Sequence, residues 1–273
     1  MSRNKVKNFI RNEVYESTCI FLPLIDPEKV TPKEAFQLLS YARDFGARAS
    51  LIGGSGFKDE SKVEEIIGYC KRMFGKKEFP FIIFPYDASQ ISRNCDAVLY
   101  LQLLNAPTTK FLRDAPLQGI FKVKEYGVEV IPTGYIITNK DSTAAKLASP
   151  IVPDELKDKV KLFTSLAQYS ALRDDFLYLD GGSGTKQPVE KEVIRAVVNG
   201  LKEMEKVRPR DEEVVLFVGG GINDYEKAYI AAQAGADVIV LGTLLEREPE
   251  KLEEVVRGIE EGVKKRGLEV IVT

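Results

Sequence analysis

The chain has 273 residues, of which 44% are hydrophobic, so it is long enough to bury one large core as a single domain. Its 39 basic and 41 acidic residues nearly balance, which gives no overall charge that would favour a nucleic-acid partner. The three cysteines are widely spaced and indicate neither a disulfide framework nor a zinc site. Histidine is absent, so any acid–base chemistry is left to carboxylates, lysine or tyrosine.

We expect one barrel domain over residues 1–273, which includes an N-terminal helical extension at about residues 1–17. The basic start of this extension is not followed by an uninterrupted apolar core, so it does not resemble a cleaved signal peptide. No stretch approaches the roughly 20 apolar residues of a membrane span. These features predict a cytoplasmic protein with at most peripheral membrane contact.

Short apolar runs alternate with longer amphipathic stretches along the chain, which is the pattern of β/α units around a parallel sheet. The predicted strands are residues 18–24, 49–52, 81–84, 97–101, 128–131, 176–179, 214–218 and 238–241. The predicted helices are residues 32–45, 62–74, 153–172, 190–206, 225–233 and 249–265. The third and fourth connections show no clear helix, and residues 139–153 are predicted to form a loop.

Eight such strands predict an α/β fold of the (β/α)8 or TIM barrel type that binds phosphate. An open doubly wound sheet is the alternative architecture. Glycine clusters follow the second, sixth, seventh and eighth strands, and this placement favours the closed barrel, in which the loops after the strands form the active face.

Two glycine motifs follow the last two strands in succession. The motif GGGIND lies at residues 219–224, and Gly242 and Thr243 follow the eighth strand. Glycine lets a backbone approach a ligand closely and expose its N–H groups to an anion. Either motif alone is equally typical of a tight turn or a helix entry, but the pair predicts the usual phosphate site of barrels.

The loop after the sixth strand, DGGSGT at residues 180–185, places a carboxylate and a hydroxyl among glycines. Asp180 is a candidate to orient or deprotonate a substrate hydroxyl, and Ser183 is a candidate to donate a hydrogen bond to a phosphate. The alternative is that Asp180 only caps its own loop.

A second candidate site lies on the same rim, after the first two strands. Asp26 precedes a proline, and the motif GGSG at residues 53–56 contains Ser55. Asp26 with Ser55 would form a sparse oxygen site for Mg²⁺, which keeps waters and takes other ligands from substrate phosphates. The alternative is that Asp26 caps the turn into Pro27. Two anion loops on one rim indicate a pair of phosphorylated substrates.

Eight segments of the chain resemble the family of geranylgeranylglyceryl phosphate synthases and their bacterial heptaprenylglyceryl counterparts. They are LIDPEK (24–29), IGGSGF (52–57), FPYDASQIS (84–92), DAVLYLQLLN (96–105), IPTGYIIT (131–138), YLDGGSG (178–184), VGGGI (218–222) and AGADVIVLGTLLE (234–246). The family usually has YLEAGSG and FPGN where this chain has YLDGGSG and FPYD. It also usually has a histidine before the LIDP segment, where this chain has Phe21 nearby.

The resemblance implies a Mg²⁺-dependent prenyltransferase of membrane ether-lipid biosynthesis. The enzyme would join a long-chain prenyl diphosphate, geranylgeranyl diphosphate foremost, to the C3 hydroxyl of sn-glycerol 1-phosphate. It also implies that Asp26 and Ser55 hold Mg²⁺ and the diphosphate, that Asp180 and Tyr178 are catalytic, and that the protein forms dimers or larger even assemblies. The residues expected at glycerol phosphate are Tyr178, Leu179, Asp180, Gly181, Gly182, Ser183, Gly184, Gly220, Gly221, Gly242 and Thr243.

Two other functions stay open on the sequence. One is a different phosphate-binding barrel enzyme, such as an isomerase or an aldolase-like lyase, although no predicted strand ends at the lysine that a Schiff base requires. The other is a non-catalytic relative that binds phosphorylated ligands without turnover. Strand-lining aromatic and aliphatic residues would serve a water-poor prenyl channel or an ordinary core equally well.

Overall fold

A computed structural model describes residues 5–54, 59–75, 78–152, 175–207 and 213–271 of the chain. The strands of this part are β1 Ile20–Ile25, β2 Ser50–Ile52, β3 Phe81–Ile83, β4 Ala97–Leu103, β5 Glu129–Ile137, β6 Phe176–Asp180, β7 Val215–Gly219 and β8 Val238–Leu241. Each strand pairs in parallel with the next, and β8 pairs with β1, so the sheet closes into a barrel. The predicted barrel is confirmed, and the open sheet is excluded.

Helices surround the barrel. They are α1 Lys5–Ser17, α2 Pro32–Asp44, α3 Glu60–Phe74, α4 Ala115–Tyr126, α5 Thr143–Ala148, α6 Lys191–Val207, α7 Tyr225–Ala234, α8 Thr243–Arg247 and α9 Leu252–Ile271. Short 3₁₀ turns lie at Ala88–Gln90 and Pro249–Lys251, and a π-helical turn lies at Lys110–Asp114. The helix predicted at residues 153–172 lies outside the described residues.

The third connection differs from the ordinary β/α unit. All of its residues between β3 and β4 are described, and they carry only the 3₁₀ turn Ala88–Gln90. The loop predicted over residues 139–153 instead contains α5, which begins where the Ser142 side chain accepts a hydrogen bond from Ala145 N at 3.0 Å. Both departures lie beside the open end of the barrel and shape its cavity.

The start of α2 shows why the sequence predicts helix boundaries well where a cap is present. Thr31 accepts from the backbone N–H of Glu34, and the Glu34 carboxylate accepts from Thr31 N at 2.8 Å, which completes a capping box. Pro32 occupies the first helical position, where its missing N–H is not needed. The helix predicted at residues 32–45 therefore begins at the predicted residue, directly after this cap.

Alternate residues of each strand enter two separate cores. One set fills the barrel, with Leu22, Leu51 and Phe217 among its buried members, and the other packs against the surrounding helices. Helix α1 lies across the amino-terminal end of the barrel, where Val6 and Ile10 join the inner core. The Glu129 carboxylate accepts from the first N–H groups of this helix. The amino-terminal end is therefore covered, and ligands have to enter at the carboxyl ends of the strands.

Within the described ranges, no helix is both long enough and apolar enough to cross a membrane.

Candidate active site

A cavity of about 800 Å³ opens at the carboxyl ends of the strands. Its floor is formed by inward-facing residues of β4, β5 and β6, and its rim by the loops that follow β1, β3, β6, β7 and β8. This is the face on which barrels of this class carry their active sites, because every loop after a strand converges there. Most of the residues predicted from glycine and carboxylate motifs line this one cavity.

The glycine loops after β6, β7 and β8 form one continuous wall. Gly181 N donates to Gly219 O at 2.8 Å, which ties the sixth loop to the seventh. Gly220 has a φ of +91°, and a Cβ there would lie 2.5 Å from Gly182 N, so no larger residue fits. The hydroxyls of Ser183 and Thr243 lie 3.4 Å apart across the cavity wall. The wall thus presents two hydroxyls beside glycine backbone, which suits a phosphate.

Asp180 lies at the end of β6 and is 9% exposed. One of its carboxylate oxygens accepts from Gly182 N at 2.7 Å, and the other accepts from the Tyr135 hydroxyl. Burial raises the pKa of Asp180, while the hydrogen bonds from Tyr135 and Gly182 oppose that shift. Asp180 therefore caps its own loop, which is one alternative from the sequence, and it also faces the cavity, as the other alternative requires. A buried carboxylate with a raised pKa is suited to accept a proton.

Tyr135, which contacts this carboxylate, belongs to a cluster of three aromatic rings. Tyr178 stacks on Phe84 with ring centroids 5.0 Å apart, and Tyr135 meets both rings edge to face at 5.7 Å. Burial, followed by the charge of Asp180, raises the pKa of both tyrosines well above the usual value. The two phenols therefore stay protonated at neutral pH, and they are buried together with Asp180.

Asp26 lies on the opposite rim, after β1. Its carboxylate accepts from Glu28 N at 3.1 Å and pairs with Lys29 Nζ at 3.3 Å. The same ammonium group contacts the Glu246 carboxylate at 3.0 Å, which joins the first loop to α8. A Cβ on Gly54 would lie 2.5 Å from Asp26, so glycine leaves the space that this carboxylate fills. Asp26 thus caps the turn and also lines the cavity.

The cavity extends from these polar groups along an apolar wall. This wall is formed by β4, the π-helical turn, α4 and α5, with Val98, Tyr100, Leu101, Phe111, Pro116 and Ala148 among its residues. The connection after β3 has a 3₁₀ turn in place of a full helix, and this short turn leaves room for the apolar wall. In the altered FPYD segment, Tyr86 packs near Phe111, with ring centroids 6.5 Å apart, and Asp87 caps the 3₁₀ turn through Ser89 N at 2.8 Å.

The structure brings most of the predicted site residues together. The cavity is lined by Asp26, Tyr178, Asp180, Ser183, Gly184, Gly220, Gly221, Gly242 and Thr243. Leu179 instead points into the core between barrel and helices, and Gly181 and Gly182 support the wall from behind through their backbone contacts. Ser55 lies outside the described residues. The roles assigned to all of these residues stay predictions.

Three further residues line this cavity that the sequence does not single out as site residues: Tyr135, Lys29 and Glu246. Tyr135 and Glu246 both fall within segments that resemble the family, IPTGYIIT and AGADVIVLGTLLE, and their polar character among apolar neighbours is the available signal. Their partners lie 45 and 217 residues away in sequence, so no local pattern reveals the contacts.

Comparison with known proteins confirms the resemblance. The model of the PcrB family matches residues 12–262. A geranylgeranylglyceryl phosphate synthase of Thermofilum pendens is 35% identical over 272 residues, which are 98% of this chain and 100% of that protein. One from Thermococcus sibiricus is 32% identical and covers 94% of this chain and 97% of its own length.

Solved structures agree with these sequence matches. The (S)-3-O-geranylgeranylglyceryl phosphate synthase from Thermoplasma acidophilum, in complex with its substrate sn-glycerol-1-phosphate, superposes with a TM-score of 0.80. It is 26% identical and covers 96% of this chain and 100% of its own. A thiamine phosphate pyrophosphorylase from Pyrococcus furiosus shares the fold alone, with 14% identity and a TM-score of 0.54. On these matches over nearly its whole length, the chain belongs to the PcrB family.

Proposed function

We propose that this protein is a prenyltransferase that forms an ether bond between geranylgeranyl diphosphate and the C3 hydroxyl of sn-glycerol 1-phosphate. The observation that carries the proposal is one cavity in which a glycine and hydroxyl wall, a buried carboxylate and an apolar channel adjoin. The named relatives, matched over nearly their full length, support the same reaction.

The acceptor, sn-glycerol 1-phosphate, fits the wall after β6, β7 and β8. Its phosphate would take hydrogen bonds from Ser183 and Thr243, whose hydroxyls lie 3.4 Å apart, and from glycine backbone N–H groups. Its C3 hydroxyl would then face Asp180, at the end of the neighbouring strand. The Thermoplasma acidophilum structure, which holds this substrate on the same fold, supports the assignment.

The donor fits the opposite rim and the apolar wall. Its prenyl chain would lie along Leu101, Phe111 and Pro116, because about 25 cal/mol is gained for each Å² of apolar surface removed from water. Its diphosphate would lie near Asp26 and Lys29, which line the cavity at its polar end. Lys29 carries a raised pKa because its contacts with Glu246 and Asp26 outweigh the effect of burial, so it is cationic there.

Mg²⁺ is part of this proposal. Asp26 fits the metal because its carboxylate lies on the cavity rim, where it offers an oxygen atom, and because Gly54 has no side chain to displace it. Asp26, and Ser55 by resemblance, would hold the ion. When bound, Mg²⁺ would act as a Lewis acid that neutralises negative charge on the leaving diphosphate.

Different residues of the cavity would assist the leaving group, exclude water and take up the proton. Lys29 adds positive charge beside the leaving group, and the aromatic rings of Phe84 and Tyr178 exclude water from the reacting carbon. The wall of the acceptor site orients the C3 hydroxyl, and Asp180 is the carboxylate that accounts for the proton released as the ether bond forms. The product would be a precursor of membrane ether lipids.

The test is incubation of the purified protein with Mg²⁺, labelled sn-glycerol 1-phosphate and prenyl diphosphates of increasing length. We expect a labelled lipid that phosphatase converts to a prenyl glycerol, formed fastest from the geranylgeranyl donor. If a folded protein that binds glycerol phosphate yields no lipid with any donor, the transferase assignment is wrong and a binding protein or another barrel enzyme takes its place.

A further inference from the structure

The hydroxyl of Tyr135 donates a hydrogen bond to Asp180 inside the cavity. Tyr135 pairs with Tyr178 in the ladder between β5 and β6, and Asp180 lies two residues further along β6. Both Tyr135 and Asp180 line the cavity, and they are 8% and 9% exposed. The phenol therefore stands at the reacting end of the site, beside the carboxylate that the proposed function uses.

Both oxygens of Asp180 already accept hydrogen bonds. Gly182 N–H occupies one at 2.7 Å, and Tyr135 occupies the other. The first bond turns this short side chain back onto its own loop, two residues further on. Glutamate, the usual residue of the family at this position, is longer by one methylene and would extend further into the cavity. A substrate hydroxyl that approached Asp180 directly would have to share an oxygen that already accepts from Gly182 N–H or from Tyr135.

The Tyr135 oxygen offers a second point of contact in the cavity. A phenol that donates its proton to a carboxylate can still accept a hydrogen bond from another hydroxyl. Tyr135 is held in place from two sides, since its ring meets Phe84 and Tyr178 edge to face, each at a centroid distance of 5.7 Å. A phenol oxygen fixed at this point can link a substrate hydroxyl to the Asp180 carboxylate through two successive hydrogen bonds.

We propose that Tyr135 and Asp180 act as one proton acceptor, with Tyr135 as the catalytic residue that touches the acceptor hydroxyl; the inference rests on the function proposed above. The oxygen on C3 of glycerol phosphate forms a bond to C1 of the prenyl group. The bond from C1 to the diphosphate breaks, and its electron pair leaves with the diphosphate. The C3 hydroxyl proton passes to the Tyr135 oxygen, and the proton of Tyr135 passes to Asp180.

The surroundings agree with a relay and not with a phenolate base. Burial, followed by the charge of Asp180, raises the pKa of Tyr135 well above its ordinary value, so the phenol is protonated before reaction. A protonated phenol can accept a proton only while it gives up its own. Burial raises the pKa of Asp180, and the two hydrogen bonds that it accepts favour its charged form against that effect; its carboxylate is the group that takes the proton.

The test uses Tyr135→Phe, Asp180→Glu and the double variant in steady-state kinetics, with calorimetric binding of sn-glycerol 1-phosphate. Tyr135→Phe keeps the ring and its packing and removes only the hydroxyl. We expect kcat to fall roughly 100-fold, the size typical of a general acid–base group, with acceptor KM and Kd within about two-fold of wild type. Tyr229→Phe on α7 is the matched control at a tyrosine outside the cavity, and its kcat should equal that of wild type.

The double variant separates a relay from a structural role. Glutamate at position 180 reaches the hydroxyl without the phenol, so the double variant should turn over at least about ten-fold faster than Tyr135→Phe. Tyr135→Phe with wild-type kcat, a double variant no faster than Tyr135→Phe, or an acceptor Kd that rises as much as kcat falls would each overturn the relay. If the wild-type protein forms no prenyl ether, the proposed function is wrong and the relay is wrong with it. If the wild type is active and Tyr135→Phe is equally active, only the relay is wrong.

Discussion

The hydroxyl of Tyr178 on β6 occupies the space beside Gly219 on β7, where a Cβ would lie only 2.2 Å from the phenol oxygen. Gly219 has no left-handed backbone conformation, so it is this space that requires glycine. Asp180 pairs with Gly219 in the ladder between the two strands. The first glycine of the GGG motif therefore positions a tyrosine of the site.

Gly219→Ala should destabilise the fold and weaken acceptor binding. A methyl group at this position overpacks the inner core, which typically costs about 1–3 kcal/mol, and it has to displace Tyr178. We expect a lower Tm in thermal unfolding and a Kd for sn-glycerol 1-phosphate raised about ten-fold in calorimetry. Adding Tyr178→Phe removes the clashing oxygen and should recover part of the Tm. A Gly219→Ala protein with wild-type Tm and Kd would show that Tyr178 is not held by this contact.

Thr243→Val removes one hydroxyl from the wall while keeping the shape of the side chain. Hydrogen bonds to charged groups contribute roughly 1.5–3 kcal/mol, so losing one to a phosphate should raise the acceptor Kd by at least about ten-fold. Thr243→Ser keeps the hydroxyl and should stay near wild type. Equal Kd values for the valine and serine variants would place the phosphate elsewhere than beside Thr243 and Ser183.

Asp26→Asn keeps the size of the side chain and removes its charge. If Asp26 holds Mg²⁺ with the diphosphate, the Mg²⁺ concentration that gives half-maximal activity should rise at least about ten-fold, because a neutral amide is a weaker ligand for this ion. Affinity for sn-glycerol 1-phosphate, measured without donor, should change less than two-fold. An unchanged Mg²⁺ requirement would assign Asp26 to the turn alone.

Asp237 should make the stability of the protein depend on pH. Burial raises its pKa to about 6, against the hydrogen bond from Leu216 N and the nearby charge of Arg266. A group whose pKa is higher in the folded chain stabilises the fold fully below its unfolded pKa and loses that contribution as the pH rises through the folded value. Between pH 4 and pH 7 the free energy of unfolding of wild type should therefore fall by roughly 2 kcal/mol relative to Asp237→Asn.

Urea unfolding of both proteins at several pH values measures this difference. Comparison with Asp237→Asn is needed because Asp180, whose pKa burial also raises, contributes a pH dependence of the same sign in both proteins. A constant difference between the two proteins from pH 4 to pH 7 would mean that Asp237 titrates alike in the folded and unfolded chains.

The bounds of several strands can be predicted closely from sequence, because consecutive buried residues appear as a continuous run of apolar residues. The apolar run at residues 238–241 predicts a strand with the bounds of β8, since a barrel strand is buried on both faces and reads as continuous apolar sequence. β5 is different. Its prediction at residues 128–131 falls short of Glu129–Ile137, because Pro132 and Gly134 interrupt the run although the ladder to β6 continues beyond them.

Sequence by itself indicates a barrel and places glycine-rich loops after its last strands. Apolar runs indicate which segments are buried. The glycines and carboxylates that directly follow these runs indicate which end of the barrel carries the candidate site. Only the tertiary structure decides that Tyr135 contacts Asp180, 45 residues away, and that Lys29 contacts Glu246, 217 residues away. The reason is physical: periodicity depends on neighbours within a few residues, whereas these contacts depend on strand register and on closure of the sheet between β8 and β1.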